Sequence, residues 1–171
     1  MLKIEPMTEN YRGFVNEQII ESWSGPFIAV HGVLYDTRTH PGYVAVEGGV
    51  VVGYILYNLM DGECEITVLE SLRQKQGIGR ALIDAVIQKA KIANCRRIWL
   101  ITTNDNTGAI RFYQRYGFDL RAVHINAMDQ ARKLKPQIPL IGDDGIPLKH
   151  EFEFELLLTE TIMPLDICSN A

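Results

Sequence analysis

The sequence predicts a mixed α/β fold, in which a central sheet carries helices on both faces. The order of its patterns is strand, helix, an antiparallel run of strands, helix, strand, helix and final strands, and this order is typical of that class. Gly48-Gly49 separates two apolar, β-rich runs and is a strong hairpin signal. With 171 residues, of which 47% are hydrophobic and 22% charged, the chain is long enough to bury one large core. We therefore expect a single domain over residues 1–171.

Composition and charge exclude several classes of protein. The formal net charge of −4 argues against a general affinity for nucleic acid or anionic membranes. No apolar run has the length of a membrane span, and the first residues lack the pattern of a signal peptide. Cys64, Cys95 and Cys168 are odd in number and widely spaced, which indicates reduced thiols rather than a disulfide framework or a zinc site. We therefore expect a cytoplasmic protein without a metal, in which Cys64 and Cys95 are small core residues.

The first part of the chain predicts a strand, a helix and a second extended stretch. Residues 2–7 are predicted to form a short strand. Residues 11–23 repeat apolar side chains at helical spacing, and Gly25-Pro26 ends the pattern. The apolar positions of this helix are Phe14, Ile19, Ile20 and Trp23. Residues 27–35 are rich in β-forming side chains, and a polar loop follows them.

Three predicted strands come next, over residues 43–47, 50–59 and 63–69. The second is apolar almost throughout, as expected for a central strand that is covered on both faces. In the third, an alternation of period two places one set of side chains on a common face. This set is Glu63, Glu65, Thr67 and Leu69. Two carboxylates therefore share a face shortly before the next motif.

The second half of the chain continues with helices and strands. The predicted elements are a helix over 77–93, a buried strand over 97–102, a short helix from Asn106 and a strand over 118–124. Residues 126–135 are predicted to be helical and to stop at Pro136, within an irregular insertion over about 126–149 that is either functional or a surface loop. Residues 150–156 alternate as a last strand with one wet face, and a tail over about 160–171 is expected to be weakly ordered.

Residues 74–81 form the motif around which the predicted site is built. Gly77 and Gly79 carry no Cβ, so the backbone can turn tightly and approach a bound group closely. The helix that follows leaves its first N–H groups without intrahelical partners, and these donors favour an anion such as phosphate, as does the helix dipole. Lys75 and Arg80 add positive charge at the rim. A P-loop is excluded because Gly-Lys-Ser/Thr does not occur here, and the dinucleotide fingerprint is excluded because leucine occupies its third glycine position.

Two sequence patterns together point to a known family. Gln74, Gly77 and Gly79 fit the pattern Gln-x-x-Gly-x-Gly. About thirty residues further on, residues 106–118 fit Asn-x-x-Ala-x-x-Phe-Tyr-x-x-x-Gly-Phe at every fixed position. In this order, with a strand pattern between them, the two patterns resemble the signatures of the GNAT superfamily of N-acetyltransferases. The resemblance covers residues 1 to about 126 well and the remainder only loosely.

The resemblance implies a site for acetyl-CoA as co-substrate. In this superfamily the mixed sheet is mostly antiparallel, and the strands that would end near Leu69 and Thr102 splay apart to hold the pantetheine arm. The Leu69 N–H would then stabilise the charge that develops on the thioester oxygen. The coenzyme-binding residues implied are Leu69, Gln74, Lys75, Gln76, Gly77, Ile78, Gly79, Arg80, Ala81, Asn106, Ala109 and Tyr113.

The reaction implied by the resemblance is direct transfer of the acetyl group to an acceptor amine, with Tyr113 as the acid that protonates the departing thiolate. An alkylamine has a pKa of about 10 and attacks only when neutral, so a base is required. Glu65 is the first candidate and Glu63 the second. Because Glu65 and Leu69 are predicted to share a face but lie four residues apart, we expect a water molecule between the base and the amine.

Several alternatives remain open from the sequence. His31 or His124 could supply the base instead of the two glutamates. The chain could bind acetyl-CoA or another acyl-CoA without turnover, as a sensor or subunit, or it could use a longer acyl chain. The acceptor, a small-molecule amine or a protein amine, would meet the stretches 8–42 and 120–150. A paired final strand would allow a homodimer.

Overall fold

The structure, a computed structural model, describes residues 1–158 of the chain. Its strands and helices follow the predicted order closely. They are β1 (Leu2–Pro6), α1 (Glu9–Trp23), β2 (Phe27–Val30), β3 (Val33–Asp36), β4 (Gly42–Glu47), β5 (Val50–Met60), β6 (Glu63–Ser71), α2 (Ile78–Ile92), β7 (Arg97–Thr103), α3 (Thr107–Tyr116), β8 (Asp119–His124), α4 (Ala127–Leu134) and β9 (Glu151–Leu157). Short 3₁₀ turns lie at Thr37–Thr39 and Asp143–Gly145.

Seven strands form the central sheet in the order β1-β4-β5-β6-β7-β9-β8. The β6–β7 pair is parallel, and every other neighbouring pair in this sheet is antiparallel. The predicted mixed, mostly antiparallel sheet is therefore confirmed. The hairpin at Gly48-Gly49 is also confirmed, since both glycines have the positive φ angles, 59° and 81°, that such a turn needs. The predicted extended stretch over residues 27–35 is a separate two-stranded hairpin, β2–β3.

The helices cover the two faces of the sheet unequally. α2 and α3 lie on one face, which we call the helical face, and pack against the larger core cluster. α1 and β2 lie on the other face, and α4 packs in turn against β2; we call this the hairpin face. Gly53 of β5 allows α2 to approach the sheet closely, because a Cβ there would lie 2.6 Å from Ile78 Cγ2. The start of α2 is thereby held close to the beginning of β5 and the end of β6.

α1 buries only part of its apolar side chains. Val15 and Ile19, four residues apart on one side of the helix, are fully buried against the sheet. Phe14, Ile20 and Trp23, which are apolar positions of the same predicted helix, are 39%, 46% and 41% exposed. A single row of side chains, spaced four residues apart, contacts the sheet. Apolar side chains on either side of this row remain at the surface.

A β-bulge in β6 changes which side chains share a face. Leu56 of β5 pairs with Val68 while the next residue, Tyr57, pairs with Ile66, so Thr67 is an extra residue in β6. Before the bulge Ile66 faces the helical core, and after it Leu69 does. Glu65 therefore lies on the hairpin face, opposite to Leu69. The prediction that Glu65 and Leu69 share a face is wrong, because uniform alternation does not continue across a bulge.

The final strand lies inside the sheet rather than at its edge. β9 has β7 on one side and β8 on the other, so pairing with a second copy through β9, the route suggested for a homodimer, is not available. The predicted wet face of this strand is largely covered, since Glu151 is 1% exposed and the side chains of Glu153 and Glu155 are 13% and 17% exposed. The predicted tail over about 160–171, with Cys168, lies outside the described residues. Within residues 1–158, we found no helix long and apolar enough to cross a membrane.

Candidate active site

Beyond the bulge, β6 and β7 separate and leave a slot between them. Their parallel pairing ends at Ile66 and Leu100, although β6 continues to Ser71 and β7 to Thr103. The splayed central strands are therefore confirmed. A slot of this kind exposes backbone N–H and C=O groups on both sides, and an amide-containing ligand can bind them as a further strand would.

The backbone N–H and C=O groups that point into the slot can be identified from the hydrogen bonds that β6 makes with β5 and β7 makes with β9. The Leu72 N–H donates to the Val52 C=O at 3.0 Å. Because alternate residues of a strand point their backbone groups to opposite edges, Leu69 and Ser71 direct theirs away from β5 and into the slot. The same alternation on β7, fixed by its pairing with β9, directs Ile101 towards the slot. The Leu69 N–H therefore has the orientation that its predicted role requires.

The predicted phosphate loop connects β6 to α2. Gly77 stands immediately before α2 with φ of 75°, a left-handed conformation that glycine adopts without strain. No atom lies within 4 Å of where its Cβ would be, so there is open space beside the loop. Lys75 also has a positive φ, 62°. The helix bonds begin with the Ala81 N–H donating to the Gly77 C=O, which leaves the N–H groups of the first turn directed at this space. These features suit a phosphate group.

The second glycine of the loop has a packing role as well. A Cβ on Gly79 would lie 3.2 Å from Cζ of Phe112, a residue of the other signature. The two sequence signatures therefore meet in space, because α2 and α3 pack closely at this point. Arg80 does not extend freely into the loop, since its guanidinium lies 5.1 Å from the ring centroid of Tyr116.

Asn106 and Tyr113 mark the two ends of the buried side of α3. The Asn106 carboxamide oxygen accepts from the Ala109 N–H at 3.1 Å and so caps the helix. Tyr113 is 7% exposed and packs among the aromatic rings of Phe112, Phe118 and Phe154. Burial raises the pKa of its hydroxyl well above the ordinary value. Leu69 belongs to the same core cluster, so the backbone donor and the predicted acid both lie on the helical face.

Glu65 lies on the opposite, hairpin face, two residues before the slot opens. It is 4% exposed, and its Oε2 accepts a hydrogen bond of 2.8 Å from the Tyr35 hydroxyl. Burial raises the pKa of Glu65 from 4.5 to about 7; the Tyr35 hydrogen bond opposes this increase, and the charge of Glu153 adds to it. A carboxylate with a pKa near 7 is a suitable general base at neutral pH.

Glu63, the second candidate base, has a different environment. It forms ion pairs with Arg96 and Arg97, the latter at 2.9 Å. Hydrogen bonding to Arg97 is the main reason that the pKa of Glu63 is lowered, which makes this carboxylate a poor base. Arg97 also binds Glu153 and Glu155, so these five side chains form one network of ion pairs.

Several residues near Glu65 could not be identified from the sequence. Tyr35, thirty residues away in β3, is its direct partner, and no spacing in the sequence indicates this pair. His40 Nδ1 lies 2.9 Å from the hydroxyl of Thr67, the bulge residue, and burial lowers the pKa of His40. The hairpin thus supplies a polar contact to the carboxylate, and the segment between the hairpin and β4 supplies one to the bulge.

The alternative bases, His31 and His124, lie together beside the start of β9. Their rings are in edge contact with centroids 4.4 Å apart. The backbone N–H of His31 donates to the carboxylate of Glu151, and His124 Nε2 lies 3.2 Å from Glu153. Among residues 1–158, no three His, Cys, Asp or Glu side chains are grouped as a metal site requires.

The raised pKa of Glu65 predicts a dependence of stability on pH. A carboxyl that titrates at 4.5 when unfolded and at about 7 when folded stabilises the protein fully below pH 4.5, and this stabilisation is lost as the pH rises through 7. We compare the free energy of unfolding of Glu65→Gln with that of the wild type. The difference between the two should shift in favour of Glu65→Gln by about 2–3 kcal/mol between about pH 4.5 and about pH 8.5. Urea unfolding at both pH values measures the difference.

Glu63→Gln is the matched control. Because the pKa of Glu63 is lowered, its contribution to stability is lost as the pH falls, and its removal should therefore destabilise the protein more at the higher pH. A difference between Glu65→Gln and the wild type that does not change with pH would contradict the assignment of a raised pKa to Glu65.

Comparisons with known proteins indicate the family of the chain. A family model described as Acetyltransferase (GNAT) family matches residues 9–118. The Bacillus subtilis (strain 168) protein named Uncharacterized protein YdhI is 38% identical over 159 residues, which are 92% of this chain and 99% of that protein. Spermine/spermidine N(1)-acetyltransferase of the same strain is 32% identical over 81 residues, 41% of this chain and 53% of that protein.

A solved structure shows the same fold. The crystal structure of a GNAT family acetyltransferase from Elizabethkingia anophelis with acetyl-CoA bound has a TM-score of 0.66 and 21% identity, and the match covers 92% of this chain and 98% of that one. The family model covers well over half of the chain, and its matched residues include both the loop before α2 and the helix that carries Tyr113. The chain therefore belongs to the GNAT family of acetyltransferases.

Proposed function

We propose that this protein transfers an acetyl group from acetyl-CoA directly to the nitrogen of a small amine. The observation that carries the proposal is the arrangement around the slot. The predicted phosphate loop and Tyr113 lie on the helical face, and the buried carboxylate of Glu65 lies on the hairpin face. A donor bound from one face and an acceptor bound from the other would meet in the slot.

The residues that would hold acetyl-CoA are those of the loop and the slot edge. The N–H groups of the first turn of α2 and the space beside Gly77 suit the pyrophosphate. The backbone groups of Leu69 and Ser71 would bind the amides of the pantetheine arm. When bound, acetyl-CoA supplies an activated acetyl group as a thioester. The Leu69 N–H would donate to the oxygen on which negative charge develops.

The two titratable side chains would move the protons of the reaction in opposite directions. Glu65 would accept, through a water molecule, the proton that the ammonium form of the acceptor must lose before it can attack. The Tyr113 hydroxyl would donate a proton to the departing sulfur, as the family resemblance implies. The new carbon–nitrogen bond replaces the carbon–sulfur bond. The attacking nitrogen loses a second proton as the amide forms, and this proton replaces the one that Tyr113 gives to the sulfur, so the products are an amide and a thiol.

The acceptor amine is proposed to be small. The relative that is named for acetylating spermine and spermidine makes linear polyamines reasonable members of a substrate panel. Release of free thiol from acetyl-CoA, measured with monoamines, diamines, polyamines, amino acids and peptides, tests the reaction directly. Binding of acetyl-CoA without thiol release for any amine would indicate a sensor or binding subunit instead of an enzyme.

A pair of substitutions at Gly77 tests the proposed position of the coenzyme. Asn and Asp both tolerate a positive φ, and neither Cβ would meet an atom of the protein. They differ by one negative charge, which would lie beside the phosphates. We expect Gly77→Asp to bind coenzyme A at least about tenfold more weakly than Gly77→Asn, a difference of about 1.4 kcal/mol. Calorimetric titration provides the measurement.

Unfolding curves of the two Gly77 variants serve as the control, because both must be folded for the comparison to hold. Equal affinities in the two variants would mean that the phosphates lie elsewhere. In that case the loop before α2 would be a tight turn with a structural role.

A further inference from the structure

The β2–β3 hairpin forms a small sheet of its own on the hairpin face of the central sheet. Ile28 and Tyr35 are directly opposite each other in its register, so their side chains leave the same side of the hairpin. Ile28 is buried in the core cluster that contains Val15 and Ile19. This side therefore faces the central sheet, and Tyr35 extends from it to Glu65 of β6.

The hairpin is held in place by contacts that do not involve the Tyr35 hydroxyl. At its base, the Thr37 hydroxyl donates to the Pro26 C=O at 2.9 Å. Near its tip, the His31 N–H donates to both carboxylate oxygens of Glu151 at 3.1 Å. The position of the Tyr35 ring is therefore determined independently of the hydrogen bond that its hydroxyl makes.

The 126–149 segment gives the hairpin a further support. Lys135, which follows α4, donates from its ammonium to the Phe27 C=O at 2.8 Å and also to the Trp23 C=O. It thereby joins the end of α1 to the start of β2. Within the segment, the Arg132 guanidinium donates to three backbone carbonyls, those of Ile138, Pro139 and Leu148. The segment is thus an ordered structure that supports the hairpin from outside.

Glu65 depends on Tyr35 for its hydrogen bonding. Glu65 is 4% exposed, and a buried carboxylate without donors is costly. Among residues 1–158, the Tyr35 hydroxyl, at 2.8 Å from Oε2, is the one donor to this carboxylate, so Oε1 has no protein donor. Glu65 also lines a cavity of about 170 Å³ together with Asn58 and Trp99. This cavity would give a water molecule beside Glu65 a route to solvent.

A hydrogen bond from Tyr35 acts on both the geometry and the charge of Glu65. It holds the carboxylate in one orientation, and it stabilises the charged form relative to the neutral acid. Burial and the charge of Glu153 act in the opposite direction and raise the pKa of Glu65. Burial and Glu65 also raise the pKa of the Tyr35 hydroxyl, so the tyrosine remains a donor throughout the working pH range.

We propose that Tyr35 is a positioning residue for the general base, whose hydroxyl orients the Glu65 carboxylate and keeps it in the charged form that accepts a proton. The inference rests on the acetyl transfer proposed above. Each turnover would protonate Glu65 through a water molecule, and the hydrogen bond from Tyr35 would favour release of that proton to solvent. Because Tyr35 belongs to the hairpin, the base would be complete only while the hairpin lies on the sheet.

Other titratable groups of residues 1–158 surround this pair, and none of them bonds to the Tyr35 hydroxyl. They are His40, Asp61, Glu63, Arg96, Arg97 and Glu153. His124 lies in turn against Glu153. The His40 ring is in edge contact with the Tyr35 ring, a contact that phenylalanine can keep. Replacement of Tyr35 by phenylalanine therefore removes one hydrogen bond and leaves these charges in place.

The first test is the pH dependence of kcat/KM for the acceptor amine in Tyr35→Phe. We expect the pKa of the base to rise by about one unit, a tenfold change in its ionisation. The variant should therefore be about tenfold slower than the wild type at about pH 6 and within about threefold of it at about pH 9. Ionisation of the amine cancels because both proteins use the same substrate. KM for acetyl-CoA should be unchanged.

A second test measures the pKa of Glu65 without turnover. The carboxyl carbon of Glu65 is followed by ¹³C NMR in protein labelled at glutamate, and its signal is assigned by its absence in Glu65→Gln. The wild-type pKa of about 7 should become about 8 in Tyr35→Phe. This measurement requires neither the acceptor nor acetyl-CoA.

Tyr11→Phe is the matched control. The Tyr11 hydroxyl donates to the carboxylate of Glu5, so this variant removes the same kind of hydrogen bond on the same face of the sheet. Because a different carboxylate loses its donor, the pH–rate profile and the Glu65 titration should both match the wild type. Urea unfolding shows that the two variants are folded under the conditions of the assays.

Three results would overturn the inference. A wild-type titration of Glu65 in Tyr35→Phe would show that the hydroxyl does not control the charge of the base. A loss of rate by the same factor at every pH would give Tyr35 a structural role only. A raised KM for acetyl-CoA would connect the hairpin to the coenzyme instead. In each case acetyl transfer itself would stand, whereas the absence of thiol release with every amine would reject the proposed function.

Discussion

Replacement of Glu65 by glutamine should lower kcat/KM for the acceptor amine by about 10²- to 10⁴-fold, the usual contribution of a general base. Glutamine keeps the shape of the side chain and an oxygen that can accept from the Tyr35 hydroxyl, so the fold and the hairpin contact should persist. Affinity for coenzyme A should be unchanged, because Glu65 lies on the face opposite to the loop and to Leu69. Steady-state kinetics at saturating acetyl-CoA measure the effect.

The dependence of the rate on pH provides a second measurement on the same variant. A base with a pKa of about 7 is active when deprotonated, so the wild-type rate should rise with pH up to about 7 and then level. This rise of the rate with pH should be absent in Glu65→Gln. Glu63→Gln is the matched control, since the ion pairs with Arg96 and Arg97 lower the pKa of Glu63. Full activity in Glu65→Gln together with a large loss of activity in Glu63→Gln would show that Glu63, and not Glu65, is the base.

Replacement of Tyr113 by phenylalanine should lower kcat by about 10²- to 10⁴-fold, with little change in KM for acetyl-CoA. The substitution removes one oxygen from a ring that is held by aromatic contacts on several sides, so the packing around it should be retained. Burial raises the pKa of this hydroxyl, which keeps it protonated, and therefore able to donate, at every pH at which the enzyme is assayed. The pH–rate profile should therefore show no fall at high pH that is caused by deprotonation of Tyr113.

Tyr116→Phe provides the comparison for Tyr113→Phe. It makes the same chemical change in the same helix, but the Tyr116 hydroxyl bonds to Asp84 of α2 instead of facing the aromatic core. We expect it to retain the kcat of the wild type. A Tyr113→Phe variant with wild-type kcat would show that Tyr113 is a packing residue, or that the thiolate departs without a proton donor.

Much of the fold could be predicted because its signals are local. The Gly48-Gly49 hairpin, the helix after Gly77 and the cap at Asn106 each depend on residues close together in the sequence. Two such signals, the loop before α2 and the pattern from Asn106 to Phe118, were also sufficient to indicate the family. Their contact through Gly79 and Phe112 is a consequence of packing that neither pattern contains.

The parts that could not be predicted depend on distant contacts or on irregular geometry. The pair formed by Tyr35 and Glu65 joins two strands of different sheets, and Asp105 meets the 126–149 segment across nearly forty residues. The exposed side chains of α1, such as Phe14, show that helical spacing alone does not determine how wide a contact is. The bulge at Thr67 leaves no mark in the pattern of apolar residues, so strict alternation gave the wrong face for Leu69.

That bulge has a consequence for how the protein can change. The one extra residue divides β6 into two segments, and each segment is held in register by its own pairs with β5. The segment before Thr67 carries Glu65 and would determine the chemistry at the amine, whereas the segment after it carries Leu69 and would bind the coenzyme. Selection or directed evolution can therefore alter the first segment for a new acceptor while the second keeps its hold on the donor. The two segments of β6 can therefore change independently of each other.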